Sequence, residues 1–225
     1  MTRRKRLKLH RKGKCYYIQD SPLFKLRTKK KLCYILNTQL SVLKQAKCDD
    51  NYRVFIDDSG GKPREIQTPK IDLDKVHTRL ASLLVRIKTP EYLHSGTKNR
   101  THVSNARVHQ NSTKLLTTDI RSFFPSTTRK AIFNFYYKIM KCSPDIADLL
   151  TDISCYQNHV PTGSRLSMPL AFWANYNMLE ELNSLAKKHN LDFSVYVDDL
   201  TFSGDQINNL FLSTVKKIVT RYNQI

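Results

Sequence analysis

Acidic residues are scarce in this chain: 19 Asp and Glu stand against 38 Lys and Arg, for a net charge of +19 over 225 residues. Long hydrophobic runs are lacking too. None approaches the roughly 20 apolar residues that a membrane span needs. The basic opening, residues 1–14, is followed by no apolar stretch, which argues against a secretory leader. No Cys-x-x-Cys occurs, and the five cysteines (Cys15, Cys33, Cys48, Cys142, Cys155) are odd in number and far apart. That excludes a disulfide framework and fits reduced thiols in a cytoplasm. There is no internal repeat and no long low-complexity linker. A hydrophobic content of 40% and aromatic content of 10% suit a globular chain with a real core.

What is present is a sharp charge gradient. Residues 1–47 carry 15 Lys and Arg against the single Asp20, whereas residues 48–225 carry 23 against 18. A basic front on a near-balanced body is the electrostatic footprint of a polyanion partner. An acidic membrane is the rival partner, but Arg3-Arg4-Lys5-Arg6 has no apolar face to lay on one. Nucleic acid is the better match.

Local patterning gives an order of elements. Ser21-Pro22 reads as an N-cap and first-turn proline of a helix reaching about residue 47. Tyr52 to Asp57 and Arg64 to Thr68 read as a hairpin across Ser59-Gly60-Gly61, ended by Pro69. Leu73, Val76, Leu80, Leu83, Leu84 and Ile87 fall at helical spacing within 72–88. A loop covers 90–101, a short helix 102–110, and a strand 114–118 leads into Asp119. Helices are expected over 127–141, 144–156, 167–189 and 206–222. The 160–164 turn (Val-Pro-Thr-Gly-Ser) precedes the third of these, and a hairpin around Asp198-Asp199 follows it. The sum is an α+β chain whose sheet is covered by helices.

Two features of this order carry chemistry. Asp198 and Asp199 lie between short runs rich in β-branched and aromatic residues, Ser194 to Val197 and Leu200 to Gly204. A tight turn there needs positive φ, which aspartate tolerates well. Adjacent carboxylates raise each other's pKa unless a cation sits between them, and all-oxygen ligation favours Mg²⁺ or Mn²⁺. Asp119, at the end of an apolar strand, is expensive to bury unless it binds something. Separately, each is as easily an acidic turn facing water or a capping aspartate. Together they supply carboxylates from two strands, as a two-metal nucleotidyl-transfer site requires.

These residues sit in recognisable boxes. Tyr196-Val197-Asp198-Asp199 resembles the Tyr-x-Asp-Asp box of reverse transcriptases, and Asp119 to Ser126 resembles their Asp-x-x-x-Phe-Phe-Pro-Ser box. Val160 to Pro169 is similar to the Pro-x-Gly-x-x-x-Ser-x-Pro box between them, and Gly61 to Ile66 with Pro69 to the fingers hairpin. All four occur in the family's order. Asn105-Ala106-Arg107-Val108-His109 and Leu200 to Gly204 resemble segments of the retron-type bacterial enzymes. The resemblance covers roughly residues 20–222 and is far more specific than any one box.

What it implies is a right-hand polymerase: fingers and palm, with a small antiparallel palm sheet covered by helices. Residues 1–20 would be a basic arm, 21–110 the fingers with their helical N-terminal part, and 111–225 the palm. Asp119 and Asp198 would hold two Mg²⁺ or Mn²⁺ ions, with Asp199 in support and the Ile120 carbonyl as a further ligand. Phe124 would lie against the sugar of the incoming dNTP and exclude a ribose 2′-hydroxyl, while the alternative places both Phe123 and Phe124 in the core. Backbone N–H groups of Ser122 and Phe123 would hold triphosphate oxygens. Arg64, with Lys62, would clamp that triphosphate, unless Arg64 is simply a solvated hairpin residue. Gly163 would allow close approach to a base or sugar, or is an ordinary turn glycine. Tyr196 would pack near the primer end or in the core. Asn105 and His109, sharing a helix face, are read as structural or RNA-contacting, and Asn175 as a packing asparagine.

The implied activity is RNA-directed DNA synthesis on a structured, cognate noncoding RNA, from dNTPs to a DNA product, in the bacterial cytoplasm and in phage defence. No membrane is involved. The family continues beyond the Asp pair into a helical thumb, which this sequence does not include. A second polypeptide supplying that thumb, or a chain that only binds RNA, is therefore the alternative to a self-sufficient enzyme.

Overall fold

The computed structural model describes residues 13–222 apart from 47, 60 and 62, so most of the basic arm and Lys62 fall outside the described residues. In chain order the helices are α1 (Lys29–Leu36), α2 (Leu40–Gln45), α3 (Ile71–Leu84), α4 (His102–Val108), α5 (Phe123–Ser126), α6 (Arg129–Asn134), α7 (Pro144–Asp152), α8 (Ser167–Ala174), α9 (Tyr176–Lys188) and α10 (Asn209–Arg221). The strands are β1 (Tyr52–Asp57), β2 (Arg64–Pro69), β3 (Leu115–Asp119), β4 (Asp192–Tyr196) and β5 (Asp199–Ser203). The class is α+β, with two small antiparallel sheets, β1-β2 and β3-β5-β4. Among the described residues no helix is long and apolar enough to cross a membrane. All five cysteines are free thiols.

Several expected elements are interrupted. The single helix expected over 21–47 is replaced by turns and two short helices. Lys25 and Asn37 adopt positive φ, 52° and 54°, and a left-handed residue ends a helix. Helix α1 instead begins at Thr28, whose side chain accepts the Lys31 N–H. The helix expected over 127–141 runs as α6 and then widens into a π-turn over Phe135–Ile139, closed by Met140 N–H on the Phe135 carbonyl. The extra residue lets Phe135, Tyr136 and Met140 all be buried. The helix expected over 167–189 breaks at Asn175, where φ is −97° and ψ 7°.

The chain divides into two compact units. One contains the residues up to Lys88 together with Thr128–Leu170; the other contains Thr89–Thr127 together with the residues from Ala171 on. In the first, the apolar stripe of α3 supplies the buried Leu73, Val76, Leu80, Leu83 and Leu84. Leu23, Leu26, Leu32, Leu43, Ile132, Ile146, Leu150 and Ile153 are also buried there. In the second, strand alternation sorts the sheet into two faces. Leu200 and Phe202 of β5 lie opposite Val195 and Phe193 of β4, with Phe193 and Phe202 stacked at 4.7 Å and Phe211 of α10 edge-on to Phe202 at 5.2 Å. Asp199, Thr201 and Ser203 therefore project from the other face.

One buried polar group in the first unit sets a pH dependence. His77 of α3 has no solvent exposure. Its Nε2 lies 2.6 Å from the Ile153 carbonyl, which fixes Nε2 as the protonated nitrogen. Its Nδ1 then accepts from Ser164 Oγ at 2.7 Å. Burial pushes the imidazole down to about 4, against the opposing influences of the Ile153 carbonyl and Asp74. The unfolded chain takes up this proton near pH 6.5 and the folded chain does not until about pH 4. Stability from His77 is thus complete above 6.5 and is lost as pH falls toward 4, amounting to about 3 kcal/mol. Urea unfolding at pH 7 and pH 4.5 should show a smaller drop in midpoint for His77→Gln than for the parent chain.

Candidate active site

The three sequence-predicted acids belong to one unit and meet at one end of its sheet. Register places Asp119, the last residue of β3, opposite Asp199, the first of β5, and Asp199 opposite Tyr196 of β4. The three form one row across the sheet. Directly opposed residues carry Cβ atoms roughly 5 Å apart, and like charges so placed repel. The Asp199 carboxyl is accordingly pushed up, by burial first and then by Asp198 and Asp119. Asp198 occupies the turn, where its carbonyl accepts the Ile120 N–H at 3.0 Å.

Two expectations about these acids need correction. Asp119 is exposed, not buried: β3 pairs with β5 alone and alternates between exposed and half-buried residues. The positive φ of the turn falls on Val197, at 63°, and on neither aspartate. With Tyr196 and Asp199 paired around it, the two-residue turn is Val197-Asp198, positive at its first corner as in type II′, where glycine is usual. A β-branched residue there holds roughly 1–3 kcal/mol of backbone strain. Among the described residues, no three His, Cys, Asp or Glu side chains close into a preformed metal cage. The acids are neighbours along a row, and their oxygens are of the type that Mg²⁺ and Mn²⁺ prefer.

Beyond Asp119 the chain turns sharply. Ser122 takes φ 52° and caps the single-turn α5. Phe123 is core, 5% exposed, while Phe124 is half-buried with its ring 5.5 Å from that of Phe123. Ser126 Oγ and Thr127 Oγ1 donate back to the carbonyls of this turn. Asn175 is the packing residue anticipated: 2% exposed, its Nδ2 donates to Thr127 Oγ1 and the Ala171 carbonyl.

His109 follows α4 and is buried against the same sheet face that carries the acids. Its Nδ1 and Nε2 lie 2.7 Å from Ser203 Oγ and Ser194 Oγ. Ser112 also donates to Ser203 Oγ. Burial lowers the His109 pKa, opposed by Asp192, which favours the neutral ring. Asn105, one turn earlier and half-buried, has a shielded Oδ1 without a partner among the described residues.

The other boxes lie in the first unit. Arg64 opens β2, exposed and opposite Asp57, whose carboxyl is held low by Ser59 and, more weakly, by Arg64. The turn around Gly163 is fastened along its length. Thr162 N–H donates to Gln67 Oε1 at 2.9 Å, and Gly163 N–H to the Gln67 carbonyl at 3.1 Å. Ser164 meets His77, and Arg165 Nη1 reaches both carboxylate oxygens of Asp74 at 2.6 and 2.8 Å. Sequence reasoning missed Gln67, Asp74 and His77. The last two sit three apart on α3, a spacing that puts them on one helix face.

Comparison with known proteins bears on these boxes together. The chain is 31% identical over 163 residues to the retron Se72 reverse transcriptase of Salmonella heidelberg, covering 69% of this chain and 42% of that protein. This chain is a relative of the retron reverse transcriptases. It is 25% identical over 166 residues to the Escherichia coli retron Ec86 reverse transcriptase, covering 72% of this chain and 52% of that protein. With the Myxococcus xanthus retron Mx65 reverse transcriptase it shares 27% over 184 residues, 74% of this chain and 42% of that protein. No family model matches. The chain thus spans about half the length of the curated retron relatives it matches.

Gly163 offers a direct check on the fastened turn. A Cβ there would lie 2.7 Å from Thr68 Oγ1, 2.8 Å from the Gln67 carbonyl oxygen and 2.8 Å from Ile66 Cγ2. The β2 backbone cannot yield without breaking the turn's bonds. Gly163→Ala should therefore destabilise the chain by about 1–3 kcal/mol, read as a lower urea midpoint.

Proposed function

We propose that this chain is the fingers and palm of a retron-type RNA-directed DNA polymerase, extending a primer on a structured RNA template with dNTPs. The observation that carries the reading is the row Asp119–Asp199–Tyr196 with Asp198 at its turn, in a chain related to retron reverse transcriptases. On this reading, Asp119, Asp198 and Asp199 hold two Mg²⁺ or Mn²⁺ ions, with the Ile120 carbonyl as a further oxygen. The donor set fits: a divalent cation would relieve the repulsion from Asp198 and Asp119 that, after burial, raises Asp199. Such ions acidify a primer hydroxyl and balance the charge of the triphosphate.

The chain's own residues do the rest. Phe124, half-buried beside the core ring of Phe123, presents an aromatic surface to the sugar. Ser122 and Phe123 offer backbone N–H groups, and Arg64 with Lys62 offers cations to triphosphate oxygens. Gly163 lies toward the base or sugar of the incoming dNTP, and Tyr196 toward the primer end. His109 acts by holding the end of α4 on the palm sheet, and Asn105 has a structural or RNA-contacting role. The basic residues 1–47 hold template phosphates, with an affinity that falls as salt rises. A cognate noncoding RNA, a bacterial cytoplasmic setting and a role in phage defence come with the retron reading.

A second reading is that the chain acts together with a further polypeptide that supplies a thumb, since the matched region covers only 42% of the Se72 and Mx65 relatives. The test is Mg²⁺- or Mn²⁺-dependent dNTP incorporation on a primed RNA, with the chain alone and with the product of the following reading frame. Asp198→Asn with Asp199→Asn should abolish incorporation, by at least about a thousandfold, and leave RNA binding intact. Incorporation that survives the double change removes the site. Incorporation only with the second polypeptide selects the split enzyme, and RNA binding with none in either case selects a binding module.

A further inference from the structure

Ser95 lies in the 90–101 stretch that sequence patterning reads as a plain loop. It is 7% exposed, and its Oγ accepts the N–H of Val197 at 3.0 Å. Val197 is the residue whose backbone is strained, and Asp198 is the next residue along.

The stretch around Ser95 is built to stay in place. Val195 N–H donates to the Tyr92 carbonyl at 2.8 Å and His94 N–H to the Val195 carbonyl at 2.9 Å, so residues 92–94 run parallel to β4. Arg100 closes the other end, its Nη1 within 2.9, 2.7 and 2.7 Å of the Pro90, Glu91 and Leu93 carbonyl oxygens. His94 Nδ1 meets Ser104 Oγ at 2.9 Å, and Ser104 with Thr101 forms the capping box that starts α4. Ser95 is thus fixed by its neighbours before it touches the turn.

We infer that Ser95 is the positioning residue of the acid pair: its hydroxyl holds the Val197 peptide in the left-handed region and so sets where the Asp198 and Asp199 carboxylates stand. The turn has a tether on each side, Ser95 from the β4 side and the Ile120 N–H on the Asp198 carbonyl from the β3 side. With Ser95 removed, Val197 keeps a half-buried N–H without this acceptor and a conformation that a β-branched residue leaves readily. Relaxation toward extended backbone rotates the 197–198 peptide, which carries the start of the acid pair. A glycine at 197 adopts the same φ without steric cost and needs no such tether.

The inference rests on the polymerase reading for its catalytic consequence but not for its structural one, and the test keeps the two apart. Ser95→Ala, Val197→Gly and the double variant are made in the full chain. Amide exchange at residue 197, the urea midpoint, RNA affinity and dNTP incorporation are measured for each. Ser95→Ala should speed exchange at Val197 about tenfold, with β4 beyond the turn unchanged, and lower kcat about tenfold at unchanged RNA affinity. In the Val197→Gly background the same change should cost less than about threefold in kcat. Equal losses in both backgrounds, unchanged exchange at Val197, or faster exchange throughout the unit with a matching fall in midpoint would each overturn the inference. If the parent chain incorporates no dNTP, the exchange and midpoint comparison decides the tether by itself, and the polymerase reading alone fails.

Discussion

Repulsion between carboxylates on one row of a sheet is the constraint around which the second unit is arranged. Antiparallel pairing sets Asp119 opposite Asp199, and the tight turn adds Asp198 beside them. Such a row lowers sheet stability by itself, so it persists only because the remainder of the sheet is well buried. Phe193, Val195, Leu200 and Phe202 are all under 8% exposed and supply apolar area on the opposite face. Strand alternation puts the acids on the face opposite those side chains, where Asp119 and Asp199 stand at an exposed end while Ser194, Thr201 and Ser203 of the same face are buried. Structure and charge are opposed here, and on the proposed reading a divalent cation would reconcile them.

The same economy appears in the turn. Glycine or asparagine would take the left-handed corner without strain, yet valine stands there, its peptide held by a neighbouring hydroxyl. The first unit solves a related problem in the opposite way. At Gly163 the side chain is dispensed with, so that one backbone lies directly on another, and fixed polar groups of Gln67, Asp74 and His77 do the holding. Both units therefore fasten a short irregular segment to regular structure through buried or half-buried polar contacts. Side-chain hydrogen bonds of this kind fix one arrangement because leaving any of them unmade is expensive.

Much of this was legible in the residues, and what was not has physical causes. The paired strands, the order of helices and the acid row follow from periodicity and from boxes whose spacing is specific. The breaks at Asn37 and Asn175 were not legible, because an asparagine inside an otherwise helical pattern signals a left-handed cap or kink only once tertiary contacts select it. Nor was the exposure of Asp119: an apolar-looking strand such as Leu115–Asp119 becomes an edge strand through topology, which local pattern does not encode. The bonds Ser95–Val197, Gln67–Thr162, His77–Ser164 and His77–Ile153 join residues at least 76 positions apart, and no window of sequence contains both ends of such a bond.

The histidine that follows α4 has a consequence for how this part of the molecule tolerates change. His109 is gripped at both ring nitrogens by serines on two different strands, so the helix before it is locked in rotational phase. A one-residue insertion within α4 would turn the residues after it by about 100° and replace the imidazole with a group unable to bridge both hydroxyls. Length variation is therefore confined to the 90–101 stretch before the helix, and the helix itself works as a keyed peg rather than a sliding one.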